Sequence, residues 1–518
     1  MKNKLSFRVS IAYWVVLMVP IALVAQEHGA GEQQEGHHRY RLVDIGTFGG
    51  PTSFVNPAGN GGPYINRGGA GVGSAATSVP SDPAMHRLFC SGLDGSIPFV
   101  FHGFEWRDGH VNDLGAIPPS AENCSDALAV NARGEIVGGS ENGVFDSAVG
   151  FTEVRAVRWK DGVIENLGTL GGRHSQATAI NNRGQVVGWA LNAIPDSFSG
   201  LGTQQRAFFW QHGAMHDLGD LGGPDVIAVF VNEHGQIAGA SLTNSTPNPV
   251  TNFPTAHPFL WEDGRMIDLG NLGGTLGFPN ALNDRGQIIG TMTLVGDVTQ
   301  DIFLWDRGEL TDLTQQSGGV IVTANAINDT GEIVGLECLP SGLCDAYLWK
   351  NGVTIDLGTL PGDCFSQAFA VNAKGQVVGQ SFSCDGFGRT FLWESGSMID
   401  LNVFVPPDSG VQLAEVLAIN DRGEIFGDDL PGDCTGNPQG DDTQCGHAFV
   451  LVPCEKEHSN DNGCEAEDAT AAAIQKNPSV ANKILSSQAE VGLNPREIES
   501  RIRATFPRRN LLRGWPQK

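Results

Sequence analysis

One phrase recurs through most of this chain. AINNRGQVVG, Ala179 to Gly188, returns as ALNDRGQIIG from Ala281, AINDTGEIVG from Ala326, AVNAKGQVVG from Ala370 and AINDRGEIFG from Ala418. Its Asn stands at Asn66, Asn131, Asn181, Asn232, Asn283, Asn328, Asn372 and Asn420. A second landmark, Asp-Leu or a variant of it, begins at Asp44, Asp113, Asn166, Asp217, Asp268, Asp312, Asp356 and Asp400. A third is aromatic: HGFEW, RAVRW, RAFFW, HPFLW, DIFLW, DAYLW, RTFLW and, from His447, HAFVL. The three cycle in fixed order with a period of 44 to 51 residues once past the first unit. A repeat of that length holding several short strands points to a propeller.

Each unit offers four strands, which around Asn283 are MIDLG, FPNALN, QIIGTM and IFLW. The Asn-Asp-Arg-Gly and Trp-Glu-Asp-Gly segments both predict tight hairpins, each a type I turn ending on a positive-φ Gly. Asn283 can bond its side chain to nearby backbone in such a turn, so the motif needs no catalytic role. Passing from the outer strand of one blade to the inner strand of the next covers roughly 14 Å, since four strands lie about 4.8 Å apart. A two-residue turn cannot make that journey. The GTLGG segment keeps its length and wording, as a fixed crossing would, and the strand after it is rich in Ala, as a crowded inner strand would be. The predicted blade therefore runs Ala-rich strand, QVVG strand, aromatic strand, Asp-Leu strand. The repeats open on an Asp-Leu-type strand, Tyr40 to Ile45, and close on an aromatic one, His447 to Val452. Pairing these ends predicts an all-β, eight-bladed β-propeller of four-stranded antiparallel blades, closed by the N-terminal strand.

The remaining segments frame the repeats. Lys2, Lys4 and Arg8 precede an apolar run, Ile11 to Val24, and Ala25 ends a plausible cleavage site, so residues 1–25 read as a signal peptide and 26–39 as a polar linker. The propeller is expected over residues 40–454. Beyond it, residues 455–518 read as a polar linker and a basic tail with two short helices, AEDATAAAIQKN and NPREIESRIRATF. No apolar run follows that could anchor the mature chain in a membrane. Export makes the ten cysteines disulfide candidates. The loop-flanking pairs are Cys338 with Cys344, Cys434 with Cys445, and Cys454 with Cys464; Cys364 with Cys384 and Cys90 with Cys124 follow from loop geometry.

These landmarks resemble the HAF-repeat family of probable extracellular proteins. The namesake triplet stands at His447-Ala448-Phe449, with degenerate versions at Arg206-Ala207-Phe208 and His257-Pro258-Phe259. The GTLGG and INxxGQVVG phrases match better, and the resemblance spans roughly residues 40 to 452. It implies export and a repeat fold, and brings no reaction or catalytic residues with it.

The net charge of −26 argues against nucleic acid, which requires a Lys/Arg footprint. GxSxG, HExxH and P-loop signatures are missing. No cofactor is expected; calcium is the one ion the acidic segments suggest, at DLPGDC from Asp429 and at Asp441-Asp442, without the spacing of a calcium loop. The Asp of the second landmark is expected to bond backbone amides rather than a cation. His257 and His447 share a position with Arg and Asp, so they read as structural, whereas His86, His102, His174 and His216 are treated as non-recurring candidates. In a four-stranded meander the crossings and the segments before each aromatic strand share one face, and the latter segments vary most. Insertions confined to one face mark a binding face. Its candidate contacts are Phe145, Phe151, Trp189, Phe198, Phe253 and Phe387. The expected function is an exported, non-catalytic binding or scaffold protein for a protein or glycan ligand, the alternative being a hydrolase or lyase at the propeller mouth.

Overall fold

The computed structural model describes residues 39–55, 63–81, 99–118, 122–196, 199–407, 409–430, 446–454 and 474–476. The predicted signal peptide lies outside them, as do Phe198 and His86. Eight four-stranded antiparallel units follow one another, at residues 49–113, 125–168, 171–217, 226–268, 273–312, 321–358, 365–400 and 412–453. They are numbered here as blades 1 to 8. In blade 3 the order is Gly171–Ile180, Val186–Pro195, Thr203–Gln211, Ala214–Asp217, the predicted sequence of Ala-rich, QVVG, aromatic and Asp-Leu strands. Blade 8 takes its outer strand from the N-terminal side: Tyr40–Asp44 pairs antiparallel with His447–Pro453, Leu42 opposite Leu451. The chain is a β-propeller closed by its own two ends.

Local chemistry explains the wording of the repeat. The inner strand of blade 3 carries a bulge between Ala177 and Ala179, and six other inner strands carry the same bulge. The bulge turns the Gln176 carbonyl onto the neighbouring strand, where a Cβ on Gly188 would collide with it. Directly across the sheet from Gly188 stands Phe208, fully buried. The same Gly–aromatic pairing joins Gly239 to Phe259, Gly290 to Phe303, Gly335 to Tyr347 and Gly379 to Phe391. A glycine that admits a ring exchanges its own small stabilisation for an aromatic burial of about 1.5–3 kcal/mol.

The two hairpin turns differ from each other. At Asn283 the Gly286 N–H donates to the Asn283 carbonyl, and only Gly286 has positive φ (76°), the predicted type I turn with a bulge. The Trp-Glu-Asp-Gly turn is instead a two-residue type I′ hairpin. Glu262 pairs with Arg265, and both Asp263 (φ 50°) and Gly264 (φ 78°) are left-handed. Type I′ follows the right-handed twist of the flanking strands; Asp holds its first position in three blades, and His212, Arg307, Asn351 and Ser395 hold it in others.

The recurrent Asn does more than brace its own turn. Oδ1 of Asn283 accepts from the amides of Arg285 and Gln287, while Nδ2 donates to the Asn328 carbonyl of the next blade. Asn66 bonds Asn131 in this way, and the chain of donors continues through Asn181, Asn232, Asn283, Asn328, Asn372 and Asn420 back to Asn66. All eight bonds are 2.7–3.1 Å long. The motif therefore closes a hydrogen-bonded ring around the axis. From blade 1, Arg67 also reaches Asp421 of blade 8 at 2.9 Å and Asp329 of blade 6 at 3.5 Å.

Disulfides join Cys338 to Cys344 and Cys364 to Cys384. Cys124 and Cys454 are also disulfide-bonded, while Cys90, Cys434, Cys445 and Cys464 lie outside the described residues. Within the segment expected to form the first tail helix, Ile474–Lys476 is a strand paired antiparallel with Ser397–Asp400. The outer strand of blade 7 offers it an unsatisfied edge, and edge pairing outweighs the helical preference of the flanking alanines. The second predicted helix lies outside the described residues.

Candidate binding face

Antiparallel order puts the Asn turns and the type I′ turns on one face, the turn face. The blade crossings and the loops between second and third strands emerge on the other, the loop face. The Asp ladder sits at the loop-face end of the outer strands. Each member accepts the amide two residues ahead, as Asp217 does from Gly219 at 2.8 Å and Asp268 from Gly270 at 2.8 Å. Asp312 instead caps the short helix Leu313–Gln316 through the Gln315 amide. The ladder is thus engaged by backbone, as expected from its recurrence.

Five ladder residues, Asp44, Asp113, Asp217, Asp268 and Asp400, also meet the first residue of the aromatic landmark on the strand beside them. His102 lies 2.9 Å from Asp113, His257 3.0 Å from Asp268, and His447 3.1 Å from Asp44. His102 therefore recurs, contrary to its expected status as a lone histidine. Arg206 and Arg389 hold Asp217 and Asp400 from the same place. Burial by itself would raise Asp268; the hydrogen bonds from His257 and the Gly270 amide, with the His257 charge, hold it below the ordinary carboxylate range. Blades 5 and 6 break this pattern. Asp301 faces Asp312, and burial followed by repulsion from Asp312 pushes Asp301 up to about 6. In blade 6 Asp345 stands opposite Glu337, which burial and then the charges of Asp356 and Asp345 raise to about 7. Burial also carries Asp126, Asp225 and Asp429 to about 7.

The loop tips present apolar side chains. Among the described residues, nine of the fourteen exposed large hydrophobics lie on the second-to-third-strand loops. Each of six consecutive blades contributes: Val144 and Phe145 from blade 2, Ile194 from blade 3, Val250 from blade 4, Val295 and Val298 from blade 5, Leu339 and Leu343 from blade 6, Phe387 from blade 7. None of these six tips contains Lys or Arg. Asp196, Asp297 and Asp385 stand among them, while Asp146 is buried and held by Arg173 and His174. Neighbouring loops are tied together, for Asn248 of blade 4 donates to Asp297 of blade 5 at 2.9 Å.

The aromatic candidates separate into two groups. Phe145 is 46% and Phe387 41% exposed. Trp189 is buried in the core cluster with Leu191 and Ile227, and Phe253 packs against that cluster. Phe151 is buried against His174, ring centres 5.1 Å apart. All three rings turn inward; Trp189 lies within the second strand of blade 3, paired with Gln176 and Ala207, and Phe151 opens the third strand of blade 2 opposite Asp146. His174 is itself fully buried, accepting from the Val154 amide at 3.2 Å and lying 3.2 Å from Asp146. That geometry places its proton on Nε2 toward Asp146; burial holds its basicity down despite that carboxylate. His216 is exposed on the outer strand of blade 3. The apolar aliphatic tips were missed by sequence reasoning, which looked for aromatic rings; the absence of Lys and Arg from those segments was the available signal. Among the described residues no group of three or more His, Cys, Asp or Glu is placed to hold a metal ion. Nor is any described helix long and apolar enough to cross a membrane.

No family model and no curated relative matches this chain. Among solved structures it is similar to the β-propeller domain of the trilobed protease from Pyrococcus furiosus, with 9% identity, 69% of this chain and 96% of that one covered, and a TM-score of 0.38. A puromycin-hydrolyzing peptidase from Mycobacterium tuberculosis matches at 14% identity over 74% of this chain and 61% of its own, TM-score 0.39. The Aleuria aurantia lectin matches at 13% identity over 52% and 91%, TM-score 0.24. At these scores the likenesses carry no argument about activity; the propeller stands on its own strand pairing.

Proposed function

We propose that this chain is an exported binding protein, secreted or periplasmic, that recognises a protein surface through its loop face and performs no chemistry there. The observation that supports the reading is the run of exposed apolar tips across blades 2 to 7. Apolar side chains exposed on successive loops of one face are a mark of protein association. Sugar recognition stacks rings on flat aromatic faces, and among the described loop residues only Phe145 and Phe387 expose them. The described histidines favour binding over hydrolysis. His102, His257 and His447 serve the Asp ladder, and His174 is buried. His110, His212 and His234 belong to the turn face, and His216 lies on the outer strand of blade 3. Export agrees with the signal-like N-terminus and with two disulfides.

The test is binding by the mature protein and by a variant carrying Val250→Ser, Val295→Ser, Val298→Ser and Leu343→Ser. A protein ligand captured from the extracellular fraction and then purified should bind the variant at least tenfold more weakly. An unchanged Kd rejects the loop face. A glycan array probed with the same protein tests the ligand class, and a sugar whose binding is lost in Phe387→Ala would replace protein by carbohydrate.

A further inference from the structure

The loop face is apolar at its tips, and its described positive charges are already engaged. Arg173 pairs with Asp146, Arg206 with Asp217 and Asp220, and Arg389 with Asp363 and Asp400. What fits such a surface is cationic and apolar together; an anionic membrane or a phosphate ligand is repelled. Charge on the chain is strongly segregated. Its net charge is −26, yet residues 501–518 hold six basic side chains and no acidic one. Within RIRATFPRRNLLRGW, Arg501 to Trp515, Ile502, Phe506, Leu511, Leu512 and Trp515 alternate with the arginines. One stretch therefore combines both properties the loop face calls for.

From this complementarity we infer that the C-terminal segment 501–515 of this chain docks on its own loop face, its arginines among the loop aspartates and its apolar residues against the aliphatic tips. Reach is not limiting. The described chain leaves blade 7 at Lys476, paired with Ser397 at the turn-face end of the outer strand. The 24 residues from 477 to 500 span up to roughly 80 Å when extended, against about 33 Å for a ten-residue strand. A segment tethered in this way competes at high effective concentration with any external ligand of the same face. The proposal rests on the binding-face reading and makes that face self-covered, opened when a tighter partner displaces the tail.

The experiment uses the full mature chain with Trp515 replaced by a photo-reactive benzoylphenylalanine. Irradiation of dilute protein should give intramolecular crosslinks to peptides containing Ile194, Val298 or Leu343. A full-length variant with Arg501, Arg503, Arg508, Arg509 and Arg513 each changed to Glu should lose at least tenfold of that yield. So should the original protein in 0.5 M NaCl. Crosslinks to the turn face, crosslinks only between copies, or a yield indifferent to charge reversal would overturn the docking. The readout needs no external ligand, so it separates from the preceding one. Loop-tip crosslinks without ligand capture would keep the docking and end external recognition. Capture without crosslinks would do the reverse.

Discussion

Within blade 5, Asn283 and Val298 mark the two faces of the ring, and they live under different constraints. Asn283 accepts two amides of its own turn and donates to Asn328 of the next blade and to Gln287. Val298, beyond the other end of the second strand, is 81% exposed. Blade 5 and blade 6 spell the first site alike, Asn-Asp-x-Gly, while their loops share nothing: Val-Gly-Asp-Val-Thr against Leu-Pro-Ser-Gly-Leu closed by Cys338 and Cys344. A turn whose side chain is needed by the neighbouring blade is held to one chemistry. A loop that no repeating contact fixes is free to change, and freedom to change is what recognition requires.

The sharpest break in this contrast should come from Gly188→Ala. Its Cβ would meet the Gln176 carbonyl on the crowded inner strand, so we expect a loss of about 4 kcal/mol or more, read by urea unfolding or as failure to recover folded protein. Asn283→Ala comes next. It strands the Arg285 and Gln287 amides and leaves the Asn328 carbonyl with the Gly331 amide alone, at about 2–4 kcal/mol. Asn283→Asp, which keeps the acceptor and loses the donor, should recover part of that loss. A cost below about 0.5 kcal/mol for Asn283→Ala would make the ring decorative.

A smaller effect concerns the carboxylate pair that replaces a His–Asp or Arg–Asp pair in blade 5. Asp301 is raised in the folded state, so proton uptake favours the fold. That contribution is fully present below the ordinary aspartate range near 3.8 and is lost as pH rises through about 6. Asp301→Arg, the residue that blades 3 and 7 use, should raise Tm at pH 7.5 and flatten the decline between pH 4 and pH 7, by about 0.5–1 kcal/mol at this partly exposed site. A steeper decline in the variant would contradict the pairing. Smallest of all, Val295→Ser with Val298→Ser should leave the unfolding midpoint within about 0.5 kcal/mol while changing what the loop face binds. A large stability loss there would move those side chains from recognition to packing.

Much of this protein was legible residue by residue. Strand order within the blade, pairing of Tyr40–Asp44 with His447–Pro453, amide capping by the Asp ladder and the bridges Cys338–Cys344 and Cys364–Cys384 follow from signals a few residues long: turn spacing, alternation and loop length. The type I′ turn was misread because Glu-Asp-Gly and Asp-Arg-Gly look alike until both central φ angles are known. Three features belonged to the tertiary structure. Asn283 finds its carbonyl at Asn328, 45 residues away, a partner that exists only once adjacent blades stand side by side. Phe145 and Phe151 flank the same loop of blade 2, yet one is 46% exposed and the other buried. Asp301 becomes a neutral-range acid because the strand beside it presents Asp312 at the place where blade 4 presents Asp268 to a histidine. Sequence spells out bonds within a turn and the period that counts the blades. Burial and charge pairing between distant strands depend on what the ring brings opposite, and closure of the ring decides that.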